Sequence, residues 1–258
     1  MQDLTICCIQ TSLHWENREA NLAMLATKIK YITSSPDIII LPEMFTTGFS
    51  MRPELFAEAP NAETTYWMQM QAKVTGSVIC GSVMMKDGGK YYNRFIWMQP
   101  DGICFTYDKK HLFRMGEENN HYSFGTTQLK LSYKGWNIVP MICYDLRFPV
   151  WCCHPEANLI LFVANWPERR KEHWIKLIEA RAIENQCYVA GVNRVGQDGN
   201  GIYYSGNSLV VDPKGARVAY SAHDECLIEA KLSFEEMSIY RSQFPAWKDA
   251  DSFGLKGG

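Results

Sequence analysis

The sequence lacks the features that mark several large classes of protein. Its 258 residues contain 26 Lys and Arg against 28 Asp and Glu, a formal charge of -2. The basic excess that nucleic-acid binding requires is therefore missing. The apolar runs, such as 38–41 and 159–164, fall well short of the roughly 18 residues that span a bilayer. We expect neither a nucleic-acid partner nor a membrane partner.

Signals for export, disulfides and bound metal are also missing. The first residues include an acidic Asp3 and no basic flank or small-residue cleavage site, which argues against secretion. The nine cysteines are an odd number and form no C-x-x-C pair, which favours reduced thiols and a cytoplasmic location. His154 with Cys152 and Cys153 would need a fourth ligand that the spacing does not offer. We expect no metal and no cofactor.

What the sequence does contain is an alternation of strand-like and helix-like segments. Residues 38–41 are apolar and consecutive, so this strand should be covered on both faces. The pattern predicts one α/β domain over 1–258, with mixed sheet and outer helices, and a tail at 243–258 that could pack on a partner subunit. Strands are predicted at 4–11, 37–42, 77–85, 90–99, 103–109, 128–133, 136–144, 158–166, 188–195, 208–212, 216–221 and 226–232. Helices are predicted from 17 onward and at 64–75, 171–185 and 234–240.

Three polar positions follow predicted buried strands, where open α/β sheets place ligand sites. Glu43 follows the first of them and could be a base with a raised pKa or one half of an ordinary ion pair. Lys109 and Lys110 end another strand and point to opposite sides, so only one of them can face Glu43. Cys143 ends a third strand, where a sharp turn would expose a nucleophile.

A cysteine-histidine pair is a competing mechanism. His111, His154 or His173 could act as its base, and the spacing selects none of them. His111 and His173 are both expected to be structural, because each lies in a segment that is predicted to pack.

Together these motifs resemble the nitrilase superfamily of carbon-nitrogen hydrolases, and its omega-amidase branch in particular. The resemblance runs over nearly the whole chain. It departs at Val150, where many relatives have Glu, and at Asn207, where relatives often have Asp. The motifs that carry it are Glu43 after its strand, Tyr107-x-Lys109-x-His111-Leu112-Phe113, Cys143-Tyr144-Asp145-Leu146-Arg147-Phe148-Pro149 and Asn165-Trp166-Pro167.

The resemblance implies a four-layer α-β-β-α sandwich, assembled as a homodimer or a higher homo-oligomer. It also implies a triad of Glu43, Lys109 and Cys143, which selects Lys109 over Lys110. Glu118 matches the position of a second, substrate-positioning glutamate, and its neighbour Glu117 is not excluded.

The implied triad would control the charge on the cysteine and stabilise the oxyanion. A cysteine beside a lysine ammonium is expected to have a lowered pKa, so Lys109 and Glu43 together would set the charge on Cys143. Lys109 and the backbone N–H of Tyr144 would hold the oxyanion that forms during attack on an amide.

The implied reaction is hydrolysis of a small linear amide through a cysteine thioester. The omega-amidase resemblance suggests the terminal amide of a short dicarboxylic acid monoamide, such as 2-oxoglutaramate or 2-oxosuccinamate, with ammonia as a product. Arg147 could bind the free carboxylate beside a wall formed by Asn165 and Trp166, or it could form a buried ion pair with an acid such as Asp145. Another amide or an N-carbamoyl substrate, and a non-catalytic binding module of the same fold, are the alternatives.

Overall fold

Two β-sheets pack face to face in the computed structural model, with helices on their outer faces. The structure describes residues 1–251 and 254. The strands are β1 (Leu4–Gln10), β2 (Ile38–Ile40), β3 (Val78–Asp87), β4 (Lys90–Met98), β5 (Cys104–Asp108), β6 (Leu131–Tyr133), β7 (Trp136–Ile142), β8 (Leu159–Ala164), β9 (Tyr188–Asn193), β10 (Val195–Gln197), β11 (Tyr203–Val211), β12 (Arg217–Ala222) and β13 (Cys226–Leu232). The α-helices are α1 (Arg18–Lys30), α2 (Pro53–Phe56), α3 (Glu63–Thr75), α4 (Glu118–His121), α5 (Lys171–Asn185) and α6 (Phe234–Gln243).

Each sheet combines a parallel centre with antiparallel flanks. The first has the strand order β13-β1-β2-β3-β4-β5, and the second has the order β10-β11-β9-β8-β7-β6 with β12 paired to β11. Strands β1, β2 and β3 run parallel, as do β7, β8 and β9. Because the carboxyl ends of parallel strands meet at one edge of a sheet, the loops that follow β2, β7 and β8 are available to build a common site.

Strand β2 shows how the layers stack. Ile38 and Ile40 belong to the core between the two sheets, whereas Ile39 and Leu41 pack on the opposite face, against helices α1 and α3. The prediction that this strand is covered on both faces is confirmed, and so is the four-layer α-β-β-α sandwich. The helix residues that cover it include Leu22, Leu25, Ile29, Met68 and Ala72.

Helix α5 covers the outer face of the second sheet. Its Trp174 and Ile178 are fully buried, as the 3.6-residue period predicts. A Cβ at Gly191 in β9 would lie 2.7 Å from the Trp174 ring, so this glycine lets the helix approach the sheet closely.

The described start of the C-terminal tail contacts the protein's own chain. Gln186 at the end of α5 donates to the carbonyl of Phe244 and accepts from the backbone N–H of Trp247. Residues 252, 253 and 255–258, six of the sixteen in the tail predicted to pack on a partner, lie outside the described residues. Among the helices described here, none combines the length and the apolar character that a membrane crossing needs.

Candidate active site

Glu43 lies in the loop after β2 and is fully buried. The next residue, Met44, has a left-handed backbone (φ 44°), and its N–H donates to the Ser82 hydroxyl at 2.9 Å. Asn165, which follows β8 of the other sheet, donates its backbone N–H to Glu43 Oε2 at 2.7 Å and its amide to the Glu43 carbonyl at 2.7 Å. The loop that carries Glu43 is therefore held by groups from both sheets.

Lys109 follows β5 and brings its ammonium to this carboxylate. Its Nζ donates to Glu43 Oε1 at 2.9 Å and lies 3.0 Å from each oxygen of Glu118. All three side chains are fully buried. Burial alone would lower the pKa of Lys109, but the two carboxylates outweigh it and raise that pKa, so the ammonium is charged.

Lys110 points elsewhere. Its ammonium lies 5.0 Å from the Phe124 ring centre and 5.7 Å from that of Trp151. The side chain is half-buried rather than fully solvated. Only Lys109 of the two lysines reaches the carboxylates.

Glu118 begins α4 and faces the site, whereas Glu117 is exposed. Glu117 has a left-handed backbone (φ 60°), which turns the chain so that the Glu118 carboxylate enters the interior. The backbone N–H of Phe113 donates to Glu118 Oε2 at 2.6 Å. Burial raises the pKa of Glu118 although Lys109 opposes the shift.

Asn93 is a site residue that sequence reasoning missed. Its side-chain amide donates to Glu43 at 2.8 Å and to Glu118 at 3.3 Å, and its backbone carbonyl accepts from the backbone N–H of Lys109 at 3.0 Å. Asparagine is disfavoured inside strands, so an asparagine in the middle of the predicted strand 90–99 was the available signal.

Cys143 sits at the carboxyl end of β7, where it begins the 3-10 turn Cys143–Arg147. Its backbone is left-handed (φ 44°), as a nucleophile on a sharp strand-to-helix turn would be. Burial raises the pKa of the Cys143 thiol well above its usual range; Glu43 and Glu118 add to this and outweigh the lowering by Lys109. The predicted lowering of this pKa is wrong, because burial disfavours the thiolate and two carboxylates accompany the one ammonium.

A cavity of about 140 Å³ opens beside Cys143. It contains the predicted substrate-binding residues Arg147, Asn165 and Trp166 in its wall, together with Tyr144. The backbone N–H of Tyr144 belongs to the first turn of the 3-10 helix, where N–H groups have no partner within the helix. Its other lining residues include Phe49, Met51, Phe113, Pro167, Arg169, Arg170, Asp198, Ile202 and Tyr204.

Arg147 does not pair with Asp145, so the buried ion pair considered as an alternative is wrong. The Arg147 guanidinium donates to Nδ1 of His173 at 2.8 Å and lies 5.1 Å from the Trp166 ring centre. Asp145 is fully buried and is held by Tyr107 and His111 instead.

The three histidines that could have formed a pair with Cys143 have other neighbours. His111 pairs with Asp145, and His173 accepts from Arg147. His154 is buried, and its nearby charges are those of Lys130 and Glu156. The largest charge effects on the pKa of the Cys143 thiol come from Glu43, Lys109 and Glu118, and none of the three is a histidine.

Comparison with known proteins gives consistent results. The family model for carbon-nitrogen hydrolase matches residues 5–242. The omega-amidase YafV of Escherichia coli is 44% identical over 257 residues, which cover 99% of this chain and 100% of that protein. The 2-oxoglutaramate amidase of Bacillus subtilis is 30% identical, over 95% of this chain and 96% of that protein.

A solved structure is similar over the same length. It is a carbon-nitrogen hydrolase superfamily protein of Xanthomonas campestris that carries an arsenic adduct in its active site. The match has a TM-score of 0.97 at 40% sequence identity and covers 99% of this chain and 100% of that one.

Proposed function

The chain belongs to the carbon-nitrogen hydrolase family, and on that premise we propose that it hydrolyses the terminal amide of a short dicarboxylic acid monoamide. The products are the dicarboxylic acid and ammonia, and the intermediate is a thioester on Cys143. Relatives named omega-amidase and 2-oxoglutaramate amidase support this substrate class, of which 2-oxoglutaramate and 2-oxosuccinamate are the members we favour.

One observation carries the proposal. The Lys109 ammonium is held between the carboxylates of Glu43 and Glu118, and the thiol of Cys143 lies within their electrostatic influence at the wall of a small cavity. A nucleophile, a proton acceptor and a cation are thus brought together where a small amide can enter.

The first half-reaction forms the thioester. Because the resting group is a thiol, Glu43 takes the Cys143 proton as sulfur bonds to the amide carbon and the carbonyl electron pair moves to oxygen. The Lys109 ammonium and the Tyr144 N–H stabilise that oxyanion; losing one such donor typically costs about 3 kcal/mol in the barrier. When the tetrahedral intermediate collapses, the C–N bond breaks and Glu43 returns its proton to the leaving nitrogen, which departs as ammonia.

The second half-reaction regenerates the thiol. Glu43, now ionised, removes a proton from water as the water oxygen bonds to the thioester carbon. The C–S bond then breaks, and the sulfur recovers the proton from Glu43. Glu118 stays bound to Lys109 and to the N–H of Phe113, and from there it orients the substrate amide and the attacking water.

The charge of the cavity favours an acidic substrate. Arg147, Arg169 and Arg170 all line it. The one carboxylate among its described lining residues, Asp198, already accepts from the Tyr204 hydroxyl and from two backbone N–H groups of its own loop. Arg147 would contact the free carboxylate of the substrate, and Asn165 and Trp166 would shape the wall.

Ammonia release tests the proposal. Wild-type protein is assayed against 2-oxoglutaramate, 2-oxosuccinamate, neutral amides of the same length and N-carbamoyl amino acids. We expect turnover of the acidic monoamides and a fall in kcat of at least about 10³-fold in Cys143→Ala, because the nucleophile is lost. A mass increase on the peptide containing Cys143, equal to the acyl group, should appear after rapid quenching.

Cys104→Ser is the matched control, since Cys104 is exposed on β5. We expect it to keep wild-type turnover. Preferential hydrolysis of N-carbamoyl amino acids would assign the protein to that substrate class instead. A wild-type protein that hydrolyses none of the amides would favour the non-catalytic binding module.

A further inference from the structure

The buried carboxylate of Asp145 joins the chain segments that carry Lys109 and Cys143. Its Oδ1 accepts from the backbone N–H of His111 at 2.9 Å and lies 2.8 Å from Nδ1 of the same residue. Its Oδ2 accepts from the Tyr107 hydroxyl at 2.7 Å and from the backbone N–H of Ile142 at 3.1 Å. A fully buried carboxylate with four donors is costly to displace, because each donor would lose its partner.

These donors flank the reacting groups in the sequence. Tyr107 and His111 lie two residues before and two residues after Lys109, and Ile142 immediately precedes Cys143. Strands β5 and β7 belong to different sheets, so strand pairing does not hold their ends in register. The Asp145 carboxylate supplies that link at the point where the two reacting groups meet.

We propose that Asp145 is a positioning residue that sets the separation between the Lys109 ammonium and the Cys143 sulfur. It acts through Tyr107 and His111 on one side and through the turn at Ile142 on the other. The same contact holds Cys143 in its left-handed conformation, because the bond from Ile142 closes the 3-10 turn around it. This inference rests on the roles proposed above for Lys109 and Cys143.

An amide cannot replace this carboxylate in either orientation. One backbone N–H points at each oxygen of Asp145, from His111 at Oδ1 and from Ile142 at Oδ2. In Asp145→Asn the NH₂ group must therefore face one of the two N–H donors, and that side of the link must move. The substitution changes the side-chain volume very little, so it tests the link rather than the packing.

The test measures kcat, KM and the reactivity of Cys143. We expect kcat of Asp145→Asn to fall about 10²-fold, with KM within about threefold of wild type, because a small misplacement of reacting groups costs about that much. We expect the alkylation rate of Cys143 by iodoacetamide, followed by peptide mass spectrometry, to fall about tenfold as the ammonium moves away from the sulfur. Tyr107→Phe removes one donor to Asp145 and should lower both rates less.

Two further variants separate positioning from stability. His111→Ala should lower kcat, and His111→Asn, which keeps an N–H donor near the position of Nδ1, should recover most of the loss. Asp212→Asn is the matched control, because the Asp212 carboxylate also accepts from two backbone N–H groups but lies in the turn between β11 and β12; it should keep wild-type kcat.

Folded protein is counted by the amount of Cys143 that iodoacetamide can alkylate, and kcat is divided by that amount. The inference is overturned if this corrected kcat of Asp145→Asn stays within twofold of wild type, because the substitution then lowers only the yield of folded protein. It is also overturned if the alkylation rate of Cys143 is unchanged. A wild-type protein that hydrolyses no amide refutes the proposed function, and the alkylation rates then decide on the positioning role alone.

Discussion

Arg147 extends a guanidinium into the cavity beside Cys143 without an ion-pair partner among the described residues. One nitrogen donates to His173, which leaves other N–H groups for a ligand. We expect Arg147→Lys to raise KM for an acidic monoamide about tenfold while KM for a neutral amide of the same length stays constant. The reason is that a lysine ammonium cannot reproduce a bidentate contact with a carboxylate. Steady-state ammonia release with the two matched amides measures the difference.

The control for this substitution is Arg217→Lys, because Arg217 pairs with Glu179 at the surface. It should leave both KM values at the wild-type level. Equal KM values for the acidic amide in Arg147→Lys and in wild type would argue that the substrate carboxylate binds elsewhere.

The charge state of Cys143 could not be derived from the sequence. A nearby lysine lowers a thiol pKa, and that was the only effect that the motifs made visible. In the folded protein the sulfur is buried, and Glu43 and Glu118 both disfavour a thiolate. Since these groups come from three different segments of the chain, their sum depends on distances that only the tertiary structure sets.

At the scale of secondary structure, the longest helix was predictable and several of the shortest elements were not. The predicted helix at 171–185 matches α5, because a 3.6-residue apolar period over about four turns is distinctive. Helices α2 and α4 have four residues each, and β10 has three, which is too short for any period to show. Strand β11 begins at Tyr203, five residues before the predicted start at 208, because a bulge at Gly206–Ser208 and a left-handed Asn207 interrupt the alternation.

The end of strand β5 depends on a glycine that packs against it. A Cβ at Gly125 would lie 2.1 Å from the carbonyl oxygen of Asp108, and the Gly125 N–H donates to the carbonyl of Lys109 at 2.9 Å. We expect Gly125→Ala to push the strand end away, to destabilise the protein by about 1–3 kcal/mol, and to lower kcat about tenfold because Lys109 moves with it. Urea unfolding and ammonia release measure the two effects.

Gly76→Ala is the control for that prediction. Gly76 follows α3 with φ 68°, and no atom lies within 4 Å of the place that an alanine methyl would occupy, so alanine there costs about 1 kcal/mol of backbone strain without a clash. It should reduce stability and leave kcat unchanged. A Gly125→Ala protein that loses stability but keeps kcat would show that Lys109 is insensitive to this contact.

At the scale of the whole molecule, assembly of the candidate site depends on the packing of one sheet on the other. The sequence alone placed Glu43, Lys109 and Cys143 each at the end of a strand, and the family resemblance grouped them. What could not be predicted is how the sheets meet, which brings Asn165 of the second sheet onto the Glu43 carboxylate. Asn93 belongs to a strand that carries no recognised motif, and its one signal, an asparagine inside a predicted strand, does not say which groups it binds.

Stability at acidic pH is a property of the whole fold. Between pH 7 and pH 5, His154 should account for most of the fall in the free energy of unfolding. Burial lowers the pKa of His154 to about 4, against 6.5 for the free side chain, so the unfolded chain binds the proton more tightly. The contribution of the neutral His154 to the free energy of unfolding should therefore be fully present above pH 6.5 and be lost as the pH falls toward 4. The loss should be about 2 kcal/mol between pH 7 and pH 5. His154→Gln should remove that part of the pH dependence in urea unfolding, whereas His14→Gln, at an exposed histidine, should leave it intact. An equal pH dependence in His154→Gln and in wild type would assign the acid sensitivity to other groups.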